Sequence, residues 1–91
     1  FTQALRRNVQ QSLATINRLD STLALDDRII ALREGIDRES RAKLQEGAIT
    51  AADYIDRNTE LLAARLARVQ HRVELSQARA NFLTMLGVEV R

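Results

Sequence analysis

The side chains that could carry chemistry are few, and they do not form a recognised set. His71 is the only histidine and cysteine is absent, so no histidine–cysteine metal site or cysteine nucleophile can be assembled. We interpret His71 as a residue of a helix surface or seam. Asp53, Asp56 and Glu60 recur at helical spacing and could attract a cation. Hard cations usually take oxygen ligands from a folded loop, so a solvated helix face is the better interpretation of these carboxylates.

Phosphate chemistry is also weakly represented. The candidate arginines are Arg57, Arg65, Arg68, Arg72 and Arg79. Arginine stems covering apolar surface, with their heads in water, explain this pattern better than phosphate contacts. The 14 basic and 12 acidic residues are interspersed and the net charge is +2, whereas nucleic-acid binders cluster their base. The sequence contains no glycine-rich phosphate loop and no nucleophile elbow. We therefore predict no enzyme activity, cofactor, metal or nucleic-acid partner.

The composition favours long helices. Among 91 residues there is no proline, only three glycines and 3% aromatic residues. The sequence predicts an all-α, antiparallel two-helix coiled-coil hairpin, with helices over about 2–45 and 51–86 and a turn at 46–50. We take residues 1–91 as a single hairpin. A chain that begins with Phe1 suggests a fragment of a larger protein.

The turn has the most specific local signals in the chain. Gly47 suits the left-handed position just after a helix end, where a Cβ is unfavourable. Thr50 is a good N-cap for the next helix, and Asp53 follows at the position of an acidic capping box. These signals predict a reversal between two helices.

Two apolar seams run along each predicted helix. In the first helix, one seam comprises Leu5, Val9, Ile16, Leu19, Leu23 and Ile30, with Ser12 and Asp26 filling two steps. A second seam begins midway and comprises Leu25, Ile29, Leu32, Ile36, Ser40 and Leu44. In the second helix, one seam comprises Ile55, Thr59, Leu62, Leu66, Val69, Val73, Ser76, Ala80 and Leu83. The other seam comprises Leu61, Ala64, Arg68, His71, Leu75, Ala78, Phe82 and Met85. Because one partner requires one seam, two seams predict association into a larger bundle or barrel.

The ends of the helices have different characters. Near the turn the arms are charged, and four acid–base pairs stand four residues apart with the acid first, which supports an isolated helix. These pairs are Glu34–Arg38, Asp37–Arg41, Glu39–Lys43 and Asp53–Arg57. At the other end Gly87 is predicted to stop the second helix, and the alternation of residues 88–91 suggests an extended tail.

The turn and the returning helix carry a resemblance to a known family. Residues 43–55, KLQEGAITAADYI, resemble the periplasmic tip of a helical hairpin in TolC-like outer membrane efflux proteins. The family pattern is a glycine, a hydroxyl residue three positions later, and an aspartate followed by two apolar residues. Here these are Gly47, Thr50, Asp53, Tyr54 and Ile55. Residues 61–66 and 76–87 resemble the returning helix and its closing glycine.

The resemblance implies a periplasmic α-barrel hairpin of a trimeric outer membrane channel. Such a channel passively transports small molecules or proteins in tripartite efflux or type I secretion. Contact with the outer membrane would come only through parts absent from this chain. The tip would bind a periplasmic adaptor protein and thereby join an inner membrane pump. The implied tip residues are Gly47, Ala48, Ile49, Thr50, Asp53, Tyr54 and Ile55.

One tip position departs from the family pattern. In the best-known member an arginine two residues after the tip glycine helps to hold the entrance closed, and here that position is Ile49. A closing ion pair would have to use other residues, for which Asp53, Asp56 and Arg57 are the candidates.

Two alternatives remain open at this point. The α-hairpin of a periplasmic adaptor (membrane fusion) protein also turns through a glycine-containing tip between heptad arms. A coiled-coil scaffold without a transport role would show the same seams. Flanking lipoyl-like strands would identify the adaptor, and a signal peptide in the parent gene would exclude a cytoplasmic scaffold.

Overall fold

Two helices account for the fold. A computed structural model describes the backbone of residues 2–90 and the side chains of residues 2–87. Helix α1 spans Thr2–Gln45 and helix α2 spans Ala51–Val90, and no strand occurs in the described residues. Proline is absent and helix-favouring residues dominate, so nothing in the composition interrupts either helix. The predicted all-α hairpin and its turn at 46–50 are confirmed.

Helix α2 ends later than predicted. The helical backbone continues through Gly87 to Val90, so the predicted stop at 86 and the extended conformation of 88–90 are wrong. Arg91 lies outside the described residues. Glycine ends a helix by adopting a left-handed conformation, as Gly47 does with a φ of 75°, but Gly87 has no such φ. Gly35 remains inside α1, as expected from the sequence.

The turn-proximal unit comprises residues 24–69. Here the two helices are antiparallel: Asp27 of α1 pairs with Arg68 of α2, and further along α1 Ser40 pairs with Arg57. The hydrophobic residue buried in this unit is Leu61. The contact between α1 and α2 here combines Leu61 and half-buried apolar residues such as Ile30 and Ala64 with buried polar groups.

The other compact unit combines residues up to Leu23 with those from Gln70 onward. It buries Leu19 on α1 and Leu75 on α2, and Asp20 pairs with Arg79 at 3.4 Å. An open groove in this unit is lined mainly by uncharged polar side chains. Its lining residues are Asn8, Gln11, Ser12, Thr15, Ala78, Asn81 and Met85.

Candidate partner-binding turn and helix faces

The end of α1 is a complete Schellman motif. The N–H of Ala48 donates to the carbonyl of Lys43 at 2.8 Å, and the N–H of Gly47 donates to the carbonyl of Leu44 at 3.0 Å. Both bonds satisfy carbonyls that a helix end would otherwise leave unpaired. Gly47 holds the left-handed position that this geometry requires, as the sequence predicted.

The start of α2 is a reciprocal capping box. The N–H of Asp53 donates to the Thr50 hydroxyl at 3.1 Å, and the N–H of Thr50 donates to the Asp53 carboxylate at 3.3 Å. The helical hydrogen bonding begins with the N–H of Tyr54 and the carbonyl of Thr50. The predicted N-cap and its acidic partner are both confirmed.

The tip residues implied by the resemblance lie at the surface of this turn. Exposed among them are Gly47, Ala48, Thr50, Asp53 and Ile55, whereas Ile49 and Tyr54 are half-buried. The three candidate gating residues are not brought together as an ion pair. Asp53 caps α2, Arg57 donates to the Ser40 hydroxyl at 3.1 Å, and Asp56 is exposed.

A polar layer occupies the inner face of the turn-proximal unit, where α1 and α2 meet. The polar layer consists of Asp37 and Ser40 on α1 with Arg57 and Asn58 on α2. Asp37 is only 5% exposed and Ser40 is fully buried. The Asn58 amide donates to the Asp37 carboxylate at 3.1 Å, and Arg57 bonds Ser40. Among the described residues, no buried side-chain nitrogen or oxygen lacks a hydrogen bond, so the layer is satisfied.

Two further side chains adjoin the polar layer. The Arg41 guanidinium donates to Asp37 at 3.1 Å and reaches the Tyr54 hydroxyl at 3.5 Å. The hydrogen bond from Asn58 lowers the pKa of Asp37, and Tyr54, Arg41 and Arg65 act in the same direction while burial opposes them. Tyr54 and Asp37 together raise the pKa of Arg41. The carboxylate at the centre of the layer is thus held in its charged form.

Ion pairs along the same unit link the helices at their margins. They are Arg33–Glu60 at 2.7 Å, Glu34–Arg65 at 3.2 Å and Asp27–Arg68 at 2.6 Å. Because their side chains are at least one-third exposed, each contributes little to stability. The predicted pairs Asp37–Arg41 and Glu39–Lys43 are confirmed. Glu34 instead bonds across to α2, and Asp53 is used in the cap.

The outward sides of the turn-proximal unit are apolar. The outer α1 stripe is Leu25, Ile29 and Leu32, and the outer α2 stripe is Ile55, Leu62, Leu66 and Val69; all seven side chains are exposed. The more apolar of the two α2 seams is therefore the one that α2 turns away from α1. The inner seam of α2 is the other one, which contains Leu61 and Ala64.

The two outer stripes lie on opposite sides of the plane that contains both helix axes. At about 100° per residue, the outer α1 stripe lies roughly a quarter-turn from the inner face of its helix, and the outer α2 stripe somewhat more. Because the helices are antiparallel, these rotations carry the stripes to opposite sides. The inner contacts Asp27–Arg68 and Asp37–Asn58 define which residues of α1 and α2 lie at the same level along the hairpin, and the residues of the two outer stripes match at the same levels. The residues at matching levels are Leu25 with Val69, Ile29 with Leu66, and Leu32 with Leu62.

The polar layer was not predicted from the sequence. Asp37 was expected in a helical ion pair and Ser40 in an apolar seam, and no particular role was predicted for Asn58. The available signal was the seam itself: the step that runs through Asp26 and Ile30 continues through Asp37 and Ser40. Extending that step would have predicted a polar inner face near the turn.

Other sites have little support in the described part of the chain. His, Cys, Asp and Glu side chains form no group of three or more that could hold a metal ion there. Neither helix has, over its described residues, the combination of length and apolarity needed to cross a membrane. Comparison with family models, curated proteins and solved structures gave no significant match.

Proposed function

We propose that this chain is a periplasmic α-barrel hairpin of an outer membrane channel that serves tripartite efflux or type I secretion. In this proposal several hairpins stand side by side as the wall of a tube. The turn at 46–50 is the tip that docks a periplasmic adaptor protein. The tube is a passive conduit for small molecules or proteins, and the parent channel is a trimer.

The observation that carries the proposal is the pair of outer stripes. Seven large apolar side chains of residues 24–69 are exposed while Leu61 alone of the large apolar side chains there is buried. Contiguous apolar surface of this kind marks an interaction face. One stripe on each side suits a hairpin with a neighbour on each side. The shared register allows α1 of one copy to pack against α2 of the next without an axial shift, as in a wall of aligned hairpins.

The tip supports the docking part of the proposal. Its backbone is shaped by its own bonds, the Schellman pair at Gly47 and the capping box at Thr50 and Asp53. The turn therefore keeps its shape without a partner and can present exposed Ala48 and Ile55 to one. A preformed turn avoids the cost of ordering a loop on binding. Residues 43–55 are also the most distinctive part of the resemblance to the family.

Self-association tests the wall. Leu62→Glu introduces a charge into the outer α2 stripe, and Ala63→Glu is the matched control one residue away on an exposed position outside the stripes. Sedimentation equilibrium is expected to show oligomers for the wild type and for Ala63→Glu, and monomers for Leu62→Glu. A wild-type chain that stays folded and monomeric at high concentration would refute lateral assembly.

Capture of an adaptor tests the tip. Immobilised wild-type chain and the Gly47→Leu variant are exposed to a purified periplasmic adaptor with an α-hairpin. The leucine cannot easily adopt the φ of 75°, so the variant is expected to lose capture. Gly35→Ala, in the middle of α1, should retain it. Equal capture by wild type and Gly47→Leu would contradict docking at this turn.

A further inference from the structure

The turn-proximal unit buries polar side chains between its helices and exposes large apolar side chains on its outer sides. Its inner face holds the polar layer, Asp37, Ser40, Arg57 and Asn58, whereas its outer stripes are apolar. Two-helix pairs in water ordinarily bury their apolar seams against each other. The arrangement therefore needs a cause within the unit.

The same two helices could also pair through a different pair of faces, the outer stripes; we call that arrangement the second facing and the one in the structure the observed facing. If α1 turned by roughly a quarter of a revolution about its own axis and α2 by somewhat more, the outer stripes would meet. Their levels already match, so Ile29 would face Leu66 and Leu32 would face Leu62 without sliding. This second facing would bury both stripes within one hairpin and leave nothing for a neighbour.

The polar layer opposes that second facing. Asp37 accepts hydrogen bonds from Asn58 of α2 and from Arg41 of its own helix, and Ser40 accepts one from Arg57 of α2. These bonds are directional and two of them cross between helices, so they form only in the observed facing. Buried polar residues select one arrangement over competing apolar ones in other helix pairs.

We propose that the polar layer is a selector: it fixes which faces of α1 and α2 meet and thereby keeps the outer stripes turned outward. The residues that select the facing are Asp37 and Asn58 at the centre, supported by Ser40 and Arg57. This role does not depend on whether the neighbour is a channel subunit. It rests on the proposed function in one respect: the proposed function gives the exposed stripes their use, as surfaces for contact with neighbouring hairpins.

Cysteine cross-linking reports the facing directly, because the chain contains no cysteine. An outer pair, Ile29→Cys with Leu66→Cys, can close within one chain only in the second facing. An inner pair, Ile30→Cys with Ala64→Cys, joins two half-buried positions of the observed facing. Gel mobility after mild oxidation separates a bond within one chain from a bond between two chains.

The decisive change is Asn58→Asp, which places a second carboxylate against Asp37. Like charges at hydrogen-bonding distance disfavour the observed facing. Closure of the outer pair within one chain is expected to rise about tenfold, and closure of the inner pair to fall. Ala63→Asp adds the same charge on an exposed position of α2 and should change neither.

The outcomes separate this inference from the proposed function. If Asn58→Asp stays helical and the outer pair still does not close within one chain, the selector role is wrong. If that variant loses its helicity, Asp37→Ala, which removes the acceptor of the Asn58 bond, decides by the same readout: a rise supports the role, and no rise overturns it. Lateral assembly is judged separately, by outer-pair bonds between two chains without the Asn58 change.

Discussion

The carboxylate of Asp37 on α1 accepts a 3.1 Å hydrogen bond from the side-chain amide of Asn58 on α2, inside the face that the helices share. Heptad pairing normally places apolar side chains at such a level. Here the apolar side chains at neighbouring levels, such as Leu32 and Leu62, face outward. In residues 24–69, burial of polar side chains between the helices and exposure of apolar side chains on the outer sides thus favour contact with a neighbouring molecule.

Acid should weaken the pairing of the helices. The pKa of Asp37 is lowered, first by the bond from Asn58, so its contribution is fully present above the unfolded value, which is about 3.9. That contribution is lost as pH falls through the lower value in the folded chain. Urea midpoints measured from about pH 6 down to about pH 2 should therefore fall more steeply for wild type than for Asp37→Asn. Parallel curves for the two proteins would contradict this assignment.

Two glycine-to-alanine changes should act in opposite directions. Gly47 has a φ of 75°, so Gly47→Ala is expected to lower the free energy of unfolding by about 1 kcal/mol. Gly35 lies inside α1, and the nearest atom to an added Cβ is an Arg38 side-chain nitrogen at 3.8 Å, an ordinary contact. Gly35→Ala should therefore raise that free energy by about 0.5–1 kcal/mol. Chemical denaturation checks both signs, and a stabilising Gly47→Ala would show that the turn is not left-handed.

Adjacent leucines should behave differently. Leu61 is 3% exposed on the inner face, and Leu62 is 53% exposed in the outer α2 stripe. Leu61→Ala is expected to cost about 2–5 kcal/mol of stability at any concentration. Leu62→Ala should change the stability of the monomer by less than about 0.5 kcal/mol but weaken self-association. Unfolding at two protein concentrations distinguishes them, and equal losses at low concentration would contradict the observed facing.

The capping box should contribute locally. Thr50→Ala removes the hydroxyl that accepts from the Asp53 N–H, which is expected to cost about 1 kcal/mol. Thr59→Ala is the control, since Thr59 is exposed within α2 and alanine is the better helix former there. Hydrogen exchange of the first-turn amides of α2 should quicken in Thr50→Ala alone. Unchanged protection of Asp53 would contradict the cap.

The turn was predictable because its signals are local. Gly47, Thr50 and Asp53 act through bonds to residues within a few positions of themselves, so identity and spacing were sufficient. The end of α2 was not predictable in this way. A glycine stops a helix only when the following backbone leaves the helical path, and the backbone after Gly87 stays helical to Val90.

Which faces of α1 and α2 meet could not be predicted from the sequence pattern either. Two seams on each helix give more than one possible inner face, and hydrophobicity alone favours burying the more apolar seam of α2. The observed choice depends on pairs distant in sequence, such as Asp37 with Asn58 and Ser40 with Arg57. Such pairs become visible only when the chain is folded. The outward position of Leu62 and Leu66 follows from them.

The Schellman motif and the capping box draw all their bonds from residues 42–54. That stretch is consequently a portable module. Transplanted between the arms of an unrelated antiparallel coiled coil, it should reverse the chain in the same way. Whole heptads added to or removed from the arms would alter the reach of the hairpin and leave the shape of its apex unchanged.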